Sequence, residues 1–407
     1  MSQRKVVVLG LCTPGATILR NLSRNGYKVW GATEDINHEG LHSKYGQKII
    51  SPDCQHDFSS WLQFMKDLSR EIKDKPVLIP TGDKYIVAIE KCIEELLPYY
   101  RMHQTLRRMH TSMTSKIEQV QLAKKHGFPL PKSMEIRNCD DIVSFYRSVD
   151  GPIILKPEFS YFWHCVKANQ ALDGAKILVA SSEEEAKNMY ERAKPYSKRL
   201  LAQEMIPGSD DNLFYWTGII GRGKKLGGSM VGKKIRVVPP MKGSASFVQL
   251  VNIPKIETQC EYFLKSISYR GICGIEVKYD FRDKKYKLIE INPRYGLWED
   301  IGIPVGVDLA KEAVDDLYGD VPIKKRPTSF KQKWVALHRD IPVYPAYRKA
   351  SNLGFFSWLY SLRQPIVVND FPIFTDMPYA IHNIGAYMSR FLEKSFLLSK
   401  HKRYSGK

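Results

Sequence analysis

The chain is poor in the features that define secreted, zinc-binding and membrane-spanning proteins. Its seven cysteines are scattered and form no CxxC pair, which argues against a zinc site and against a disulfide framework. The apolar run at residues 6–9 is too short for a signal peptide, and no run approaches the length that crosses a bilayer. We therefore expect a cytoplasmic protein, and its 407 residues suggest two or three domains.

Acidic residues are also scarce, and the scarcity is uneven. The formal net charge is +19, and residues 321–407 hold fifteen Lys and Arg against four Asp and Glu. Such a local excess favours an acidic substrate or an anionic surface near this end of the chain. Together with the aromatic run at 355–360, it suggests peripheral contact with the inner face of a membrane. The alternative is a helix that docks on the core and carries a solvated tail.

Motifs for two kinds of partner are missing as well. The basic residues are not interleaved with a recognised RNA- or DNA-binding module, so no nucleic-acid partner is expected. Gly10 and Gly15 do not have the GxGxxG spacing of a dinucleotide site. The chain nevertheless opens as a βαβ unit, with a strand at 4–10, a helix that ends near Asn25 and a strand at 27–33. This order predicts an N-terminal parallel sheet.

Two loops of this first sheet are candidate substrate contacts. The loop at residues 11–16 is either a tight strand-to-helix turn or a segment that faces a small acidic substrate. After a strand at 77–80, Thr81, Gly82 and Asp83 begin a helix. Because α/β sheets bind ligands at the carboxyl ends of their strands, these three residues are candidates for the substrate site.

The most informative pattern is a hairpin predicted over residues 272–294. If the hairpin is symmetric about Asp283, Glu276 lies directly opposite Glu290. Paired Cβ atoms are about 4.5–5.5 Å apart, where like charges repel, and a divalent cation would remove that repulsion. Asn292 adds a neutral oxygen on the same face, and hard oxygen ligands of this kind suit Mg²⁺.

Strict alternation makes a further prediction about this hairpin. It places Leu288 on the face of Glu290 and points Ile289 and Ile291 away. The turn contains no glycine, so the register could slip by one residue and turn one glutamate to the other face. The alternative is an ordinary exposed hairpin with scattered charges.

The segment Glu-Ile-Asn-Pro-Arg at 290–294, with Glu276 on the preceding strand, resembles the metal-binding end of the ATP-grasp family. The resemblance extends over most of the chain. A helix that opens with Lys116 leads to a Gly-Phe-Pro-Leu-Pro segment, which is similar to the entry into an ATP-grasp domain. The apolar strand that ends in Lys156 and the strand at 200–208 match the phosphate-binding strand and the hinge strand of the family.

The resemblance implies an α/β fold of the α+β ATP-grasp type. An N-terminal parallel-sheet domain would occupy residues 1–110, and the ATP-grasp domain would occupy residues 111–320. Within the latter, a small subdomain would span about 130–205 and a metal-binding subdomain about 206–320. Residues 321–407 would form a basic C-terminal extension.

The resemblance also implies roles for individual residues. Two arginines would stabilise the developing oxyanion or the substrate carboxylate: Arg294 and Arg236. Three oxygen ligands would hold Mg²⁺, or Mn²⁺ in its place: Glu276, Glu290 and Asn292. Contacts to ATP would come from lysines at the phosphates, from the hinge strand at the adenine and from an aspartate at the ribose: Lys116, Lys156, Lys167, Gln203, Glu204, Met205, Ile206 and Asp211.

One stretch departs from the pattern of the family. A mobile glycine-rich loop usually wraps the phosphates, but residues 157–173 contain no glycine and include a run of aromatic side chains. The stretch predicts either a stiffer aromatic flap, with Lys167 as its phosphate contact, or a loss of nucleotide turnover.

By this resemblance the protein is an ATP- and Mg²⁺-dependent ligase. It would convert a small-molecule carboxylate into an acyl phosphate that an amine then attacks, as in amino-acid ligases of the D-aspartate ligase group, which act on cell-surface precursors. One alternative is activation of bicarbonate, as in carbamoyl-phosphate synthetase, although the chain has a single ATP-grasp unit and no biotin-carrier motif. The other is a nucleotide-binding protein without turnover.

Overall fold

Three β-sheets organise the part of the protein that the structure describes. The structure is a computed structural model that describes residues 3–103, 109–163, 165–241 and 243–389. One sheet is parallel, and the other two are largely antiparallel. All three contribute residues to one large cavity.

The first sheet is the parallel sheet that the βαβ order predicts. Its elements are β1 (Lys5–Leu9), α1 (Thr13–Arg24), β2 (Lys28–Thr33), β3 (Gln47–Ile50), α2 (Phe58–Ile72), β4 (Val77–Pro80), α3 (Asp83–Lys91) and α4 (Ile93–Leu96). The strands lie in the order β3-β2-β1-β4. Val6 and Val8 belong to one hydrophobic cluster and Val7 and Leu9 to another, so β1 is covered on both faces. This explains its unbroken apolar run.

The loop between β1 and α1 is a tight turn built on two glycines. Gly10 has a φ of +86°, in the left-handed region that favours glycine. A Cβ atom on Gly15 would lie 1.9 Å from the carbonyl oxygen of Gly10, so the close approach excludes any side chain there. The Thr81 hydroxyl donates to the carbonyl oxygen of Leu9 at 2.8 Å. The two candidate loops of the first sheet therefore lie side by side.

The second sheet is small and antiparallel. Its elements are α5 (His110–Thr114), α6 (Lys116–Lys125), β5 (Ser133–Ile136), α7 (Cys139–Ser148), β6 (Ile153–Pro157), α8 (Val166–Ala171), β7 (Leu178–Ala180), α9 (Glu183–Ala193) and β8 (Leu200–Glu204). The strand order is β5-β8-β6-β7. Ile153 and Leu155 pack with residues of α7 and α9, whereas Ile154 and Lys156 face the cavity. Alternation along β6 thus separates core from binding surface.

The third sheet has seven strands and carries the predicted hairpin. Its elements are β9 (Leu213–Ile220), β10 (Leu226–Val238), β11 (Ser244–Val251), α10 (Pro254–Ser266), β12 (Gly271–Asp280), β13 (Lys285–Asn292), α11 (Leu309–Tyr318), β14 (Lys333–Val335), α12 (Leu337–Ser351), α13 (Phe355–Ser361) and β15 (Ile366–Val368). The order is β13-β12-β9-β10-β11-β14-β15, and only the β14–β15 pair is parallel. The predicted C-terminal extension therefore contributes two strands to the sheet of the hairpin.

The register of the hairpin confirms one prediction and corrects another. Glu276 pairs directly with Glu290, as predicted. Nearer the turn, however, Asp280 pairs with Lys285, so the turn centre lies half a residue before Asp283. Ile289 is an extra residue, a β-bulge that restores the predicted glutamate pair.

The bulge also overturns the alternation predicted for β13. Leu288 packs in the hydrophobic core with Ile291, although it was predicted on the face of Glu290. Ile289 lines the cavity, although it was predicted to point away. The prediction was wrong because a bulge reverses the faces of the residues that follow it.

A buried ion pair anchors α12 to the third sheet. Arg236 on β10 is 2% exposed and Asp340 is fully buried, and two nitrogens of the guanidinium lie 2.8 and 2.9 Å from the two carboxylate oxygens. Asp340 also accepts from the Ser246 hydroxyl at 2.9 Å and from the Trp358 indole at 2.8 Å. These contacts join β10, β11, α12 and α13 at one carboxylate.

We expect Asp340→Ala to destabilise the protein by about 3–5 kcal/mol, because it leaves the charge of Arg236 buried without a partner. Urea unfolding followed by tryptophan fluorescence measures the effect, since Trp334 and Trp358 lie in this region. The matched control is Asp67→Ala, which removes an exposed ion pair with Arg70 and should leave the midpoint unchanged. Equal midpoints for the two variants would contradict the anchoring role.

Candidate active site

A cavity of about 530 Å³ lies where the three sheets meet. The first sheet contributes residues from its two candidate loops: Cys12, Pro14, Thr81 and Asp83. The second contributes one face of β6 and the end of β8: Ile154, Lys156, Gln203 and Glu204. The third contributes the hairpin and its neighbours: Lys234, Glu276, Lys278, Glu290, Asn292 and Arg294. Sites of this size between domains are typical of small-molecule binding.

The opposed glutamates of the hairpin are each paired with a lysine. Lys234 of β10 forms an ion pair with Glu276, and the Lys116 ammonium lies 3.1 Å from a carboxylate oxygen of Glu290. Burial by itself would raise the pKa of Glu290, but the attraction of Lys116 and Lys156 outweighs it and lowers the pKa to about 2. Glu290 is therefore anionic at any physiological pH.

Local hydrogen bonds fix the position of Lys116 at the start of α6. Ser115 caps the helix by accepting from the Glu118 amide, and its hydroxyl donates to the Glu158 carboxylate at 2.8 Å. The side chain of Gln119 bonds both the amide and the carbonyl of Ile291 on β13, at 3.0 and 2.8 Å. The helix is thus docked on the strand that carries Glu290.

Lys156 lies at the next-to-last position of β6 and faces the cavity, as the apolar strand with a cation at its end predicts. Its ammonium donates to the Gln203 side chain at 2.9 Å and to the carbonyl of Ile289 at 3.4 Å. Burial lowers the pKa of Lys156 to about 8, although Glu290 acts in the opposite direction. Lys156 is buried, and no carboxylate among the described residues lies within ion-pair distance of its ammonium.

The predicted hinge segment forms one wall of the cavity: Gln203, Glu204, Met205 and Ile206. The Glu204 carboxylate accepts from the Lys132 amide at 3.0 Å and lies 3.3 Å from the guanidinium of Arg282. Lys278 donates to the carbonyl oxygens of Ile206 and Gly208, both at 2.8 Å. Their contact with adenine stays a prediction, but the placement of all four residues fits it.

Arg294 links the hairpin to the first sheet. Its guanidinium lies 2.6 Å from a carboxylate oxygen of Asp83 and 3.3 Å from the amide oxygen of Asn292. Cys12 and Pro14, from the loop predicted to face a substrate, line the same cavity. The candidate residues of the first sheet and of the hairpin therefore meet.

Arg236, a predicted catalytic residue, does not line the cavity. Lys234 pairs with Val248 and Arg236 with Phe247, so β10 has one extra residue at this point, Ile235. The bulge turns Arg236 away from the face of Lys234, into its ion pair with Asp340. Lys234 takes the place in the cavity that was predicted for Arg236.

Two predicted ATP contacts also lie outside the cavity. Lys167 is exposed on α8, because the glycine-free stretch folds into a 3₁₀ turn at Ser160–Trp163 followed by this short helix. Ser160 and Trp163 line the cavity instead. Asp211 lies in a separate turn, where its carboxylate accepts from Ser209 and pairs with Lys233.

Sequence reasoning missed many of the residues that line the cavity, among them Lys176, Tyr215, Lys234, Lys278 and Arg339. Lys278 could have been found, since alternation placed it on the face of Glu276. Lys234 was hidden by the bulge in β10. Arg339 comes from the C-terminal region, where the sequence carries no recognised motif.

The donor set at the hairpin fits a hard divalent cation. Two carboxylates face each other and an amide oxygen lies two residues further along β13. In the described parts of the chain, no group of three or more His, Cys, Asp and Glu side chains is placed to hold a metal. A metal at the hairpin would therefore need further oxygens from phosphates, which is how Mg²⁺ is usually bound with nucleotides.

Comparison with known proteins identifies the fold. The ADP complex of N5-carboxyaminoimidazole ribonucleotide synthetase superposes with a TM-score of 0.64 at 12% identity and covers 82% of each chain. The biotin carboxylase domain of a Hydrogenobacter thermophilus 2-oxoglutarate carboxylase, in complex with MgADP, ADP and bicarbonate, superposes with a TM-score of 0.60 at 15% identity and covers 81% of this chain and 72% of that one. The chain has the ATP-grasp fold. The predicted fold class is confirmed.

A curated relative is similar in sequence as well. The D-aspartate ligase of Enterococcus faecium (strain Aus0004) is 24% identical over 265 residues, which are 63% of this chain and 62% of that protein. The match thus spans less than two thirds of the relative. No protein-family model matches the chain. The predicted resemblance to ATP-grasp proteins of the D-aspartate ligase type is confirmed.

We expect Lys156→Ala to weaken ATP binding about tenfold to a hundredfold at pH 7, because one charge-assisted hydrogen bond to phosphate is lost. Calorimetry measures both proteins. Lys156 is charged below its pKa of about 8 and neutral above it, so the difference between the proteins should shrink as the pH rises through 8. Equal affinities at pH 7 would exclude a phosphate contact.

Proposed function

We propose that the protein is an ATP-dependent ligase that joins a carboxylate to an amine in a Mg²⁺-dependent reaction. The charge pattern of the cavity carries this proposal. Among the described lining residues, seven lysines and arginines surround four aspartates and glutamates, two of which oppose each other across the hairpin. A triphosphate supplies the anionic charge that this excess of cations favours, and the opposed carboxylates suit the metal that accompanies it.

On binding of the metal and ATP, the glutamates would leave their lysine partners for the metal, and the lysines would bind the phosphates. Glu276, Glu290 and Asn292 would hold Mg²⁺, which neutralises phosphoryl oxygens when it is bound. Lys234 and Lys116, which pair with the two glutamates, would then turn to the phosphates. Glu276, Glu290, Lys116 and Lys234 would each keep a charged partner before and after binding, so the exchange would leave none of these four ions uncompensated.

The proposed reaction has two steps. An oxygen of the substrate carboxylate attacks the γ-phosphorus of ATP, which forms an acyl phosphate and releases ADP. The amine then attacks the acyl carbon, the amide bond forms, and phosphate leaves as the nitrogen loses a proton. Arg294, held by Asp83 beside Asn292, is the candidate for stabilising the developing oxyanion.

The similarity to D-aspartate ligase supports an amino acid as the carboxylate. A cell-surface precursor as the amine is what the family resemblance of the sequence implies. Bicarbonate activation is the alternative among enzymes, and the biotin carboxylase domain with a similar fold contains bicarbonate. The two differ in substrate: release of phosphate with bicarbonate alone would favour the alternative, and release that requires an amino acid and an amine would favour the ligase.

One observation favours a nucleotide-binding protein without turnover. The rings of Phe159, Tyr161 and Phe162 pack on one another with centroids 4.9–5.5 Å apart, so the aromatic flap is a folded unit. Such a unit offers fewer free backbone amides than a glycine-rich loop. ATP binding without phosphate release across a library of amino acids and amines would establish this reading.

We expect Glu290→Gln to abolish phosphate release and to leave the fold intact, because one anionic metal ligand is lost while the volume is kept. Phosphate release and circular dichroism are measured on the same samples. Asp283→Asn is the matched control, since it changes a carboxylate in the turn of the same hairpin, outside the cavity. Full activity of Glu290→Gln at ordinary Mg²⁺ concentrations would refute the metal assignment.

We also propose that the C-terminal region attaches the protein to an anionic membrane surface. Residues 377–389 form a helix without Lys, Arg, Asp or Glu. One face docks on the first sheet, where Tyr379 stacks on the Arg20 guanidinium and His382 stacks on His42. The opposite face exposes a stripe of apolar side chains: Met377, Ile381, Ile384 and Met388.

The stripe and the local charge suit the interface of a bilayer. Phe374, just before the helix, is fully exposed, and Phe356 of α13 is 82% exposed. Residues 321–407 supply the basic excess that attracts anionic lipid, although the tail from Lys400 onward lies outside the described residues. None of the helices in the described ranges could span a bilayer. Contact would therefore be peripheral.

We expect the protein to sediment with anionic vesicles at low salt, to be released at high salt and to bind neutral vesicles little. Attraction is about 1 kcal/mol per basic residue near the surface, and the screening length is roughly 10 Å at 0.1 M salt. The double variant Ile381→Glu and Ile384→Glu should lose binding. Ile36→Glu, at an exposed isoleucine in the connection between β2 and β3, should keep it. Equal binding to neutral vesicles would refute the electrostatic account, and no binding would refute the membrane account.

A further inference from the structure

Arg339 is a cavity residue that the proposed reaction has not yet used. It lies in the first turn of α12 and lines the cavity together with Cys12 and Pro14 of the first sheet. The other arginine of the cavity, Arg294, has a carboxylate partner in Asp83. Among the described residues, no carboxylate lies within ion-pair distance of Arg339. The guanidinium of Arg339 is therefore free to bind an anionic group of a ligand in the cavity.

One guanidinium nitrogen of Arg339 is hydrogen-bonded within the protein, and its two terminal nitrogens are available to a ligand. Its Nε donates to Nε2 of His338 at 3.1 Å, and Nδ1 of His338 bonds the Asp370 carboxylate at 2.9 Å. The terminal nitrogens make no hydrogen bond within the described part of the chain, and the residue is only partly buried. A guanidinium fixed in this way presents a fork of donors that matches a carboxylate.

The ion pair of Arg236 sets the position of this fork. Asp340, the next residue in α12, is locked by Arg236, Ser246 and Trp358. The backbone of Arg339 is therefore tied to the third sheet on one side and to Asp370 through His338 on the other. The arginine that was predicted to contact substrate thus positions another arginine in the cavity.

Arg339 shares its part of the cavity with the loop between β1 and α1 and with Lys176. The carboxylates of Glu39 and Asp370 and the ammonium of Lys176 lie within electrostatic range of its guanidinium. Cys12 of this loop lines the cavity together with Arg294 and Arg339. The two arginines therefore share one cavity with the loop that was predicted to face a small acidic substrate.

We infer that Arg339 binds the second carboxylate of a small substrate that carries two, such as an acidic amino acid, while the reacting carboxylate lies near Arg294. This inference rests on the proposed ligase function, which requires one carboxylate at the phosphates. It adds that the cavity selects a dicarboxylate. It also gives the C-terminal region a role in substrate recognition.

The test compares ligands with and without the second carboxylate. Calorimetry in the presence of ADP measures the affinities for D- and L-aspartate and for D- and L-alanine. The wild type should bind one aspartate enantiomer at least about tenfold more tightly than the matching alanine, since a charged hydrogen-bonded pair contributes roughly that factor or more. In Arg339→Met this preference should disappear, through a loss of aspartate affinity alone. Arg339→Lys should be intermediate, because it keeps the charge and loses the fork.

The matched control is Arg348→Met, at an exposed arginine of the same helix, which should keep the preference for aspartate. ADP affinity, measured in the same samples, reports whether the cavity is intact. Should Arg339→Met fail to fold, Arg339→Lys and the wild-type comparison of aspartate with alanine still decide the matter. Equal affinity of the wild type for aspartate and alanine would overturn the inference. An unchanged preference in Arg339→Met would do the same.

Failure of the inference and failure of the proposed function give different results. Arg339-dependent aspartate binding without phosphate release from ATP would leave the dicarboxylate site and remove the ligase. Amine-dependent phosphate release with monocarboxylates, and no preference for aspartate, would support the ligase function and refute the dicarboxylate site.

Discussion

The cavity depends on one electrostatic constraint: two glutamates face each other across an antiparallel pair. Like charges at that distance repel, so the surrounding elements must supply cations. Lys116 comes from α6, Lys156 from β6 and Lys234 from β10. The constraint therefore draws the second and third sheets together, and α6 is further fastened to β13 by two hydrogen bonds.

The ion pairs of the protein fall into two kinds that suit two purposes. The Asp340 carboxylate is fully buried and accepts from three different side chains, so it is committed to holding α12 in place. Glu290 faces the cavity and meets Lys116 through one close contact, so either partner can exchange it for a ligand. Breaking a buried pair is costly, whereas exchanging partners in a polar cavity is not. Ion pairs of the first kind hold the fold together. Ion pairs of the second kind leave the cavity able to bind charged ligands.

Period-two reasoning predicted this site well wherever the strands are regular and poorly wherever they bulge. The pairing of Glu276 with Glu290 was predicted, although its actual cause is the extra residue Ile289. Because of the bulge at Ile235, Lys234 lines the cavity and Arg236 lies in a buried ion pair, whereas the prediction placed Arg236 in the site. A bulge depends on how neighbouring strands pack, and alternation along one strand carries no information about it. The placement of Arg339 in the cavity could not be predicted for a similar reason, since it depends on an ion pair between distant segments of the chain.

Under the proposed function, the aromatic flap would leave the binding of phosphate to side chains instead of to backbone amides. A glycine-rich loop would offer a series of free amides, but here the first residues form a 3₁₀ turn and the next form α8. The contact that remains is the hydroxyl of Ser160, which already accepts from Lys116 at 2.6 Å. In the proposed reaction, phosphate would therefore be held by ammonium groups, whose attraction is long-ranged and screened by salt, instead of by directional amides. This would explain why the cavity carries more lysines than its glutamates need.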